Sequence, residues 1–297
     1  MAVLARRALL VVNPAARRGA RARARAEGAF DQCGVDCETL VTERAGHAAE
    51  IALARARDHD VVFTLGGDGT AMEVIGALAG SGVPVGVLPG GTGNLIARSI
   101  GIPLDVRRAV PLLLRGEIAD VDLGRLSSGR CFAFAAGVGI DATMIERTPA
   151  NLKRRLGVAA YALTAARAVL ARERFRVRAT VDGVLHERMA SAVMVTNFGA
   201  VLNRLITLGP DIAQDDGLLD LCVFSPETLG DAVRVMWRLL RRDFRSDPCV
   251  LYAHGRHFRI ETDPPRLAQA DGELLEPTPF EVDVEPRAAR LLVPRTD

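Results

Sequence analysis

The stretch Thr64-Leu65-Gly66-Gly67-Asp68-Gly69-Thr70 follows the apolar run Val61-Val62-Phe63 and precedes an apolar series at helical spacing in residues 71–78. This pattern predicts a strand, a tight turn and a helix. Glycines let backbone N–H groups approach an anion, and a helix start at Thr70 adds unpaired donors, so the turn suits phosphate. A carboxylate there repels phosphate unless it holds a cation or accepts a proton, so Asp68 indicates phosphoryl chemistry. The alternative is an ordinary turn in which Asp68 is a helix cap.

A second glycine-rich turn follows within thirty residues. The predicted strand Val83–Leu88 opens into Pro89-Gly90-Gly91-Thr92-Gly93-Asn94, and a helical series begins at Leu95. This turn offers more backbone donors, a hydroxyl group and an amide group. Neither turn matches the P-loop or the dinucleotide fingerprint, so the sequence predicts a phosphate site of another type.

Strands and helices alternate through the first part of the chain. The predicted strands are Ala8–Val12, Val35–Val41 and Asp60–Leu65, and the predicted helices are Ala20–Phe30 and Ala45–Arg57. Such alternation predicts a parallel sheet with ligands at the carboxyl ends of its strands. We therefore expect the loops at Asn13, Thr42 and Gly66 to share one edge of the sheet.

The sequence pattern changes from about Val121, where successive strand-like segments and glycine turns predict a β-rich region. The predicted strands are Asp120–Leu126, Arg130–Ala136, Phe175–Val181, Val184–Arg188, Ala190–Thr196 and a short Leu291–Val293; the predicted helices are Asn151–Arg172 and Pro226–Arg245. The last helix has one apolar side and several arginines. We expect it to pack against the protein, with contact to a membrane surface as the weaker alternative.

The composition is that of an ordinary globular protein, with 49% hydrophobic and 25% charged residues, and the net charge of +2 argues against nucleic-acid binding. The five cysteines form no CxxC pair, which argues against a zinc site or a disulfide framework. The apolar run Ala8–Val12 is too short for a signal peptide, and no run approaches the roughly 18 apolar residues of a membrane span. The sequence therefore predicts a cytoplasmic protein, with peripheral membrane contact as the further option.

Two acidic turns in the second half are candidate sites. Residues 210–220 hold four carboxylates around Gly217, and hard cations such as Mg2+ prefer such oxygen ligands. The alternative is a hairpin turn, for which Asp-Asp-Gly is equally suitable. Ala270-Asp271-Gly272-Glu273-Leu274 is the second acidic turn.

Several motifs together resemble the diacylglycerol and sphingosine kinase catalytic-domain family, in its bacterial lipid kinase branch. They are Asn13-Pro14, the Gly66–Thr70 turn with Glu73, the 88–98 segment LPGGTGNLIAR, the metal-loop pattern at 210–219 and the Asp-Gly-Glu of residues 271–273. The resemblance implies an α/β fold with an N-terminal NAD-kinase-like nucleotide-binding domain and a C-terminal β-sandwich domain. It places the first domain at residues 1–123 with a returning tail of about 284–297, and the second at residues 124–283.

The resemblance also implies an ATP-dependent lipid kinase with Mg2+. The residues expected to contact ATP are Asn13, Thr42, Gly66, Gly67, Asp68, Gly69, Thr70, Glu73, Gly91, Thr92 and Asn94, where Glu73 fixes either the turn or the ribose. The metal would be held by Asp216 and the carbonyl groups of Ala213 and Leu218. The proton acceptor would be Glu273 or, as described for some sphingosine kinases, Asp68; the sequence leaves both open.

The nearest alternatives are a NAD kinase, which shares the Gly-Gly-Asp-Gly-Thr turn, and a non-catalytic nucleotide-binding regulator. The second glycine turn and the two acidic turns favour the lipid kinase, because a binding module needs no positioned base. The expected partners are a lipid alcohol and, transiently, a membrane surface, and members of the family often form dimers. The sequence does not identify the lipid, because no motif names the residues of an acyl-chain cleft.

Overall fold

The computed structural model describes residues 5–16, 19–91, 93–139, 174–201 and 206–295. It divides into two compact units, one formed by Met1–Leu123 with Pro286–Asp297 and the other by Gly124–Glu285. The predicted helix Asn151–Arg172 lies outside the described residues. None of the helices within the described ranges combines the length and apolar composition needed to cross a bilayer.

The first unit is built on a parallel sheet, as predicted. Its strands are β1 (Arg7–Val12), β2 (Asp36–Val41), β3 (Val61–Gly66) and β4 (Val85–Pro89). They lie in the order β2-β1-β3-β4, and all three pairings are parallel. Strands β3 and β4 are buried along their whole length, which explains why they read as continuous apolar runs.

Five α-helices accompany this sheet within the described residues. They are α1 (Gly19–Gln32), α2 (His47–Arg55), α3 (Asp68–Ala77), α4 (Leu95–Ser99) and α5 (Val106–Leu114). Helix α3 begins at Asp68, two residues before the predicted start. Helix α5, which was not predicted from the sequence, contains Pro111 and is capped by the side chain of Asp105. An internal proline ordinarily argues against a helix, and this explains the omission.

The second unit is an antiparallel β-sandwich. Its strands are β5 (Glu117–Leu126, which starts in the first unit), β6 (Cys131–Phe132), β7 (Ala135–Val138), β8 (Phe175–Val181), β9 (Val184–Ala190), β10 (Ala192–Thr196), β11 (Ala200–Val201), β12 (Ile206–Thr207), β13 (Leu219–Phe224), β14 (Val250–Gly255), β15 (His257–Asp263), β16 (Leu267–Ala270), β17 (Glu273–Pro277) and the first part of β18 (Phe280–Val293). One sheet has the order β14-β13-β10-β7-β16-β17, and β18-β15-β8-β9 follow one another in the other. A single helix, α6 (Leu229–Arg241), is described in this unit.

The core of the sandwich comes from alternating residues of both sheets. Along β8, Phe175 and Val177 are buried whereas Arg176 and Arg178 are exposed. From the other sheet, Val193 and its neighbours on β10 join the same apolar cluster. This alternation is what two packed antiparallel sheets require, and the predicted β-sandwich is therefore confirmed.

The last strand is longer than predicted. The sequence indicated only Leu291–Val293, whereas β18 runs from Phe280 to Val293. Pro286 cannot donate to a ladder, and Arg287 has a φ of 50°, so the strand pattern is broken in the middle. The Arg287 amide donates instead to the carboxylate of Asp122 at 2.6 Å. The first part of β18 pairs with β15, and Leu291 pairs with β4.

Candidate functional site

The two glycine turns of the first unit pack backbone against backbone. The Gly90 amide donates to the Gly66 carbonyl at 2.9 Å. A Cβ atom on Gly90 would lie 2.9 Å from the Gly66 nitrogen, and one on Gly91 would lie 2.6 Å from the Cα atom of Gly67. Such distances are too short for any side chain, so glycine is required here for the contact between the turns as well as for an anion to approach.

The loop after β1 joins these turns through Thr70. The Asn13 side-chain nitrogen donates to the Thr70 hydroxyl at 2.9 Å, while the Asn13 side-chain oxygen accepts from the Ala15 amide at 3.0 Å. Thr70 is buried, and a Cβ atom on Gly66 would lie 2.6 Å from its Cβ atom. The structure thus brings together Asn13, Gly66 and Thr70 at the carboxyl ends of β1 and β3.

The first turn of α3 supplies the backbone donors. The first hydrogen bond of this helix runs from the Ala71 amide to the Gly67 carbonyl at 3.1 Å. The N–H groups of Gly69 and Thr70 precede this bond and have no backbone acceptor in the helix, whereas the Asp68 amide points to its own carboxylate. The positive end of the helix dipole also lies here. This turn can therefore bind an anionic group such as a phosphate.

Asp68 connects α3 to the second glycine turn. Its carboxylate accepts a hydrogen bond from the Ile96 amide at 3.4 Å, and the neighbouring amides of Leu95 and Asn94 also point to it. Burial raises the pKa of Asp68 above its ordinary value, and these amides oppose that shift only in part. A carboxyl group with a raised pKa accepts a proton more readily, as a general base must.

Asn94 closes the second turn. It has a left-handed backbone with a φ of 52°, its side-chain oxygen accepts from the Gly91 amide at 3.0 Å, and its side-chain nitrogen donates to the Gly91 carbonyl at 3.0 Å. The Gly91 amide is therefore already engaged inside the turn. The remaining predicted residue of this turn, Thr92, lies outside the described residues.

Glu73 fixes the start of α2. Its two carboxylate oxygens accept from the amides of Gly46 and Ala48, at 3.0 and 3.1 Å. Thr42, the first residue after β2, is buried, and its amide donates to the Val12 carbonyl at 2.9 Å. These bonds attach the loop after β2 to α3, and a contact of Glu73 with a ribose stays a prediction.

In the second unit, Asp216 lies in an exposed turn before β13. One of its carboxylate oxygens accepts from the Leu218 amide at 3.0 Å, and Gly217 has a φ of 77°. Burial, and next the charge of Asp216, raise the pKa of Asp220 to about 6. Two neighbouring carboxylates that repel each other favour a bound cation.

The donor chemistry of this loop therefore fits Mg2+, for which the predicted ligands are one side chain and the carbonyl groups of Ala213 and Leu218. This ligand set differs from a cluster of metal-binding side chains, because two of its three members are backbone carbonyl groups. Within the described ranges, no group of three or more His, Cys, Asp or Glu side chains is positioned to hold a metal ion.

Asp271 anchors the Asp-Gly-Glu turn, and the sequence analysis assigned it no function. Its carboxylate is buried and accepts from the amides of Ala133, Phe134 and Ala135, at 2.8, 3.0 and 2.9 Å. Asp271 also has a left-handed backbone with a φ of 48°. These bonds fix the position of the turn that carries Glu273.

Glu273 is the first residue of β17, with its side chain half exposed, and forms an ion pair with Arg130. Arg130 was also missed by the sequence analysis, because it is separated from Glu273 by more than a hundred residues. The arginine can hold the carboxylate in place. To accept a proton from a substrate, Glu273 needs a carboxylate oxygen that faces the substrate rather than Arg130.

Two family models match the chain. Residues 7–126 match the diacylglycerol kinase catalytic domain, and residues 135–293 match the YegS C-terminal NAD kinase beta sandwich-like domain. The first match contains the four strands β1–β4 of the parallel sheet, and the second contains β7–β17 of the β-sandwich.

Similar proteins include a diacylglycerol kinase of Bacillus subtilis, 30% identical over 82% of this chain and 81% of the relative. A diacylglycerol kinase of Staphylococcus carnosus is 27% identical over 82% and 80%, respectively. An uncharacterized protein of Synechocystis is 30% identical over 78% of this chain, which spans only 54% of that longer relative.

The fold is also found in solved structures. A putative diacylglycerol kinase from Bacillus anthracis superposes with a TM-score of 0.79, covers 99% of this chain and 98% of its own, and is 24% identical. The chain belongs to the diacylglycerol kinase catalytic-domain family, in its bacterial lipid kinase branch.

Proposed function

We propose that this protein transfers the γ-phosphate of ATP, with Mg2+, to the hydroxyl group of a lipid such as diacylglycerol. The first turn of α3 is the observation that carries the proposal, because the Gly69 and Thr70 amides, which lack an acceptor in the helix backbone, lie beside Asp68, a carboxyl group of raised pKa. The relatives named diacylglycerol kinase support the acceptor class.

The chain's residues would bind the phosphates through α3 and the loop after β1. The N–H groups of Gly69 and Thr70 donate to phosphate oxygens, and the helix dipole favours the negative charge. Asn13 is tied to Thr70, so the β1 loop stays close to this turn. The second glycine turn packs against the first through the hydrogen bond from the Gly90 amide to the Gly66 carbonyl.

Asp216, with the carbonyl groups of Ala213 and Leu218, would hold Mg2+. When bound, the ion neutralises negative charge that develops on the phosphate oxygens during transfer. Asp216 presents one carboxylate oxygen to its own turn, and among the described residues only the Leu218 amide donates to it. The other oxygen is therefore available to a cation.

Either Glu273 or Asp68 would accept the proton. The lipid oxygen bonds to the γ-phosphorus, the bond from phosphorus to the β-γ bridging oxygen of ATP breaks, and the hydroxyl proton moves to the carboxylate. Glu273 is half exposed on a turn that Asp271 fixes, whereas Asp68 is held by the amides of α4. Accessibility favours Glu273, and the raised pKa favours Asp68.

The test is transfer of labelled γ-phosphate from ATP, with Mg2+, to a panel of dispersed lipid alcohols and to NAD. The panel contains diacylglycerol, phosphatidylglycerol, a sphingoid base and an isoprenoid alcohol. The proposal requires label in a lipid, and a preference for diacylglycerol would identify the acceptor. Label in NAD alone would establish the NAD kinase alternative. ATP binding without label in any acceptor would establish a nucleotide-binding regulator.

A further inference from the structure

Helix α6 has two apolar faces, and among the residues that the structure describes only one of them packs against the protein. Ala232, Val235 and Leu239 are buried, and the last two pack in a cluster with Ile206 and Cys249. The helix is therefore held against the second unit by one side. The other apolar side chains of α6 must find another environment or remain in water.

The outward face carries Leu229, Val233 and Trp237, which are 46%, 50% and 55% exposed. They are four residues apart, so they lie along one side of the helix. Arg241 continues the same series, and its guanidinium group lies 4.5 Å from the centre of the Trp237 ring. We call Leu229, Val233, Trp237 and Arg241 the outer stripe.

The charges around the outer stripe are unevenly compensated. The acidic residues of this segment are paired with arginines other than Arg241 and Arg242: Asp231 with Arg234, Asp243 with Arg238 and Arg245, and Asp247 with Arg234 and Arg238. Among the described residues, Arg241 and Arg242 have no acidic partner. The exposed end of the helix therefore presents two uncompensated positive charges next to an apolar surface.

We propose that the outer stripe docks on an anionic lipid bilayer. Tryptophan favours the boundary between lipid and water, because its ring is apolar and its N–H group is polar. A helix with an exposed apolar face and flanking arginines binds in the plane of such a surface. Arg241 and Arg242 would contact the negatively charged lipid phosphates at that surface.

A protein partner or a second copy fits this surface less well. A stable protein interface needs about 20–30 residues on each side. The outer stripe has three apolar residues, and the arginines beside them have no acidic complement on the same helix face. A bilayer imposes no such requirement on area or shape. The inference goes beyond the proposed function and is independent of phosphoryl transfer.

The sequence provides a direct reporter, because Trp237 is the only tryptophan. The full chain is titrated, without nucleotide, with vesicles of phosphatidylcholine and phosphatidylserine, or of phosphatidylcholine alone. Phosphatidylserine supplies negative charge but has no head-group alcohol that a kinase could phosphorylate. Binding is followed by vesicle sedimentation and by Trp237 emission. We expect the emission to shift to shorter wavelength with the anionic vesicles, and less so as salt is added.

Val233→Asp places a negative charge in the outer stripe and keeps the reporter. We expect it to weaken partition into anionic vesicles about tenfold or more, since it removes an apolar contact and repels the lipid. Val184→Asp is the matched control, since Val184 is 59% exposed on β9 of the same unit. It should bind as the wild type does, and circular dichroism checks that both variants fold.

Three results would overturn the proposal: no emission shift with anionic vesicles, an equal loss of binding in both variants, or a Trp237 shift that depends on protein concentration alone. The last result would identify the outer stripe as an interface between two copies of the chain.

Discussion

Gly91 lies so close to Gly67 that a Cβ atom on Gly91 would stand 2.6 Å from the Cα atom of Gly67. The contact joins the turn after β4 to the residue that precedes α3. Any change that separates the two turns therefore moves the amide groups that we propose bind the ATP phosphates.

Gly91→Ala should consequently lower ATP affinity about tenfold or more, which calorimetric titration would measure. Gly28→Ala is its control, because Gly28 lies inside α1 and no atom stands within 4 Å of its added Cβ atom. That variant should bind ATP normally and gain about 0.5–1 kcal/mol of stability from its higher helix propensity. Unchanged ATP affinity in Gly91→Ala would show that the contact between the turns does not control the phosphate site.

Asp271→Asn should destabilise the second unit by about 3 kcal/mol. The asparagine has no charge for the three amides of residues 133–135 and turns its own N–H groups toward at least one of them. Urea unfolding measures the loss, and Glu276→Gln, an exposed change on the neighbouring strand, should have almost no effect. A loss below about 0.5 kcal/mol would mean that the three hydrogen bonds do not hold the turn.

Glu273→Gln should lower the transfer rate about a hundredfold or more while ATP binding stays nearly intact, since the amide cannot accept a proton. Asp68→Asn is measured beside it. Near wild-type transfer by Glu273→Gln, together with inactive Asp68→Asn, would assign the proton acceptor to Asp68 instead. Nucleotide titration of both variants separates a loss of chemistry from a loss of binding.

Asp216→Ala should raise the Mg2+ concentration that gives half-maximal transfer, because it removes the only side chain in the predicted ligand set. The measurement is a Mg2+ titration of activity at saturating ATP. Asp211→Asn, at an exposed position in the same loop, serves as the control and should leave the titration unchanged, since asparagine tolerates the φ of 50° at this position. Identical titrations for Asp216→Ala and the wild type would contradict the metal assignment.

Asp220→Asn should stabilise the metal-free protein only at higher pH. Burial and the charge of Asp216 raise the pKa of Asp220 from 3.8 to about 6 in the folded state, so folding favours the protonated form. The carboxyl group does not lower the free energy of unfolding below about pH 3.8. It lowers this free energy progressively between pH 3.8 and 6, and the loss is complete above pH 6.

We expect this variant to gain about 1–2 kcal/mol at pH 7.5 and little at pH 4, measured by urea unfolding with a chelator present. Asp215→Asn, an exposed neighbour, should show no such dependence. A gain that is equal at both pH values would mean that the cost of Asp220 does not come from its charge.

The sequence best predicted those strands and turns that depend on neighbouring residues. The strands before the two glycine turns, and the turns themselves, follow from short runs around Gly66 and Gly90. It could not predict the hydrogen bonds from the amides of residues 133–135 to Asp271, or the ion pair of Arg130 with Glu273, because each joins positions more than a hundred residues apart. It underestimated β18 because Pro286 and Arg287 interrupt the alternation that marks a strand.

Strand β18 also has a consequence for how the protein is made. Its first residues pair with β15, and Leu291 supplies the neighbour of β4 on the side away from β3. During synthesis on a ribosome, β4 emerges about two hundred residues before that neighbour, so its edge stays open through most of translation. We therefore expect the nascent chain to need protection of this edge, by a chaperone or by rapid completion of the chain, against pairing with another molecule.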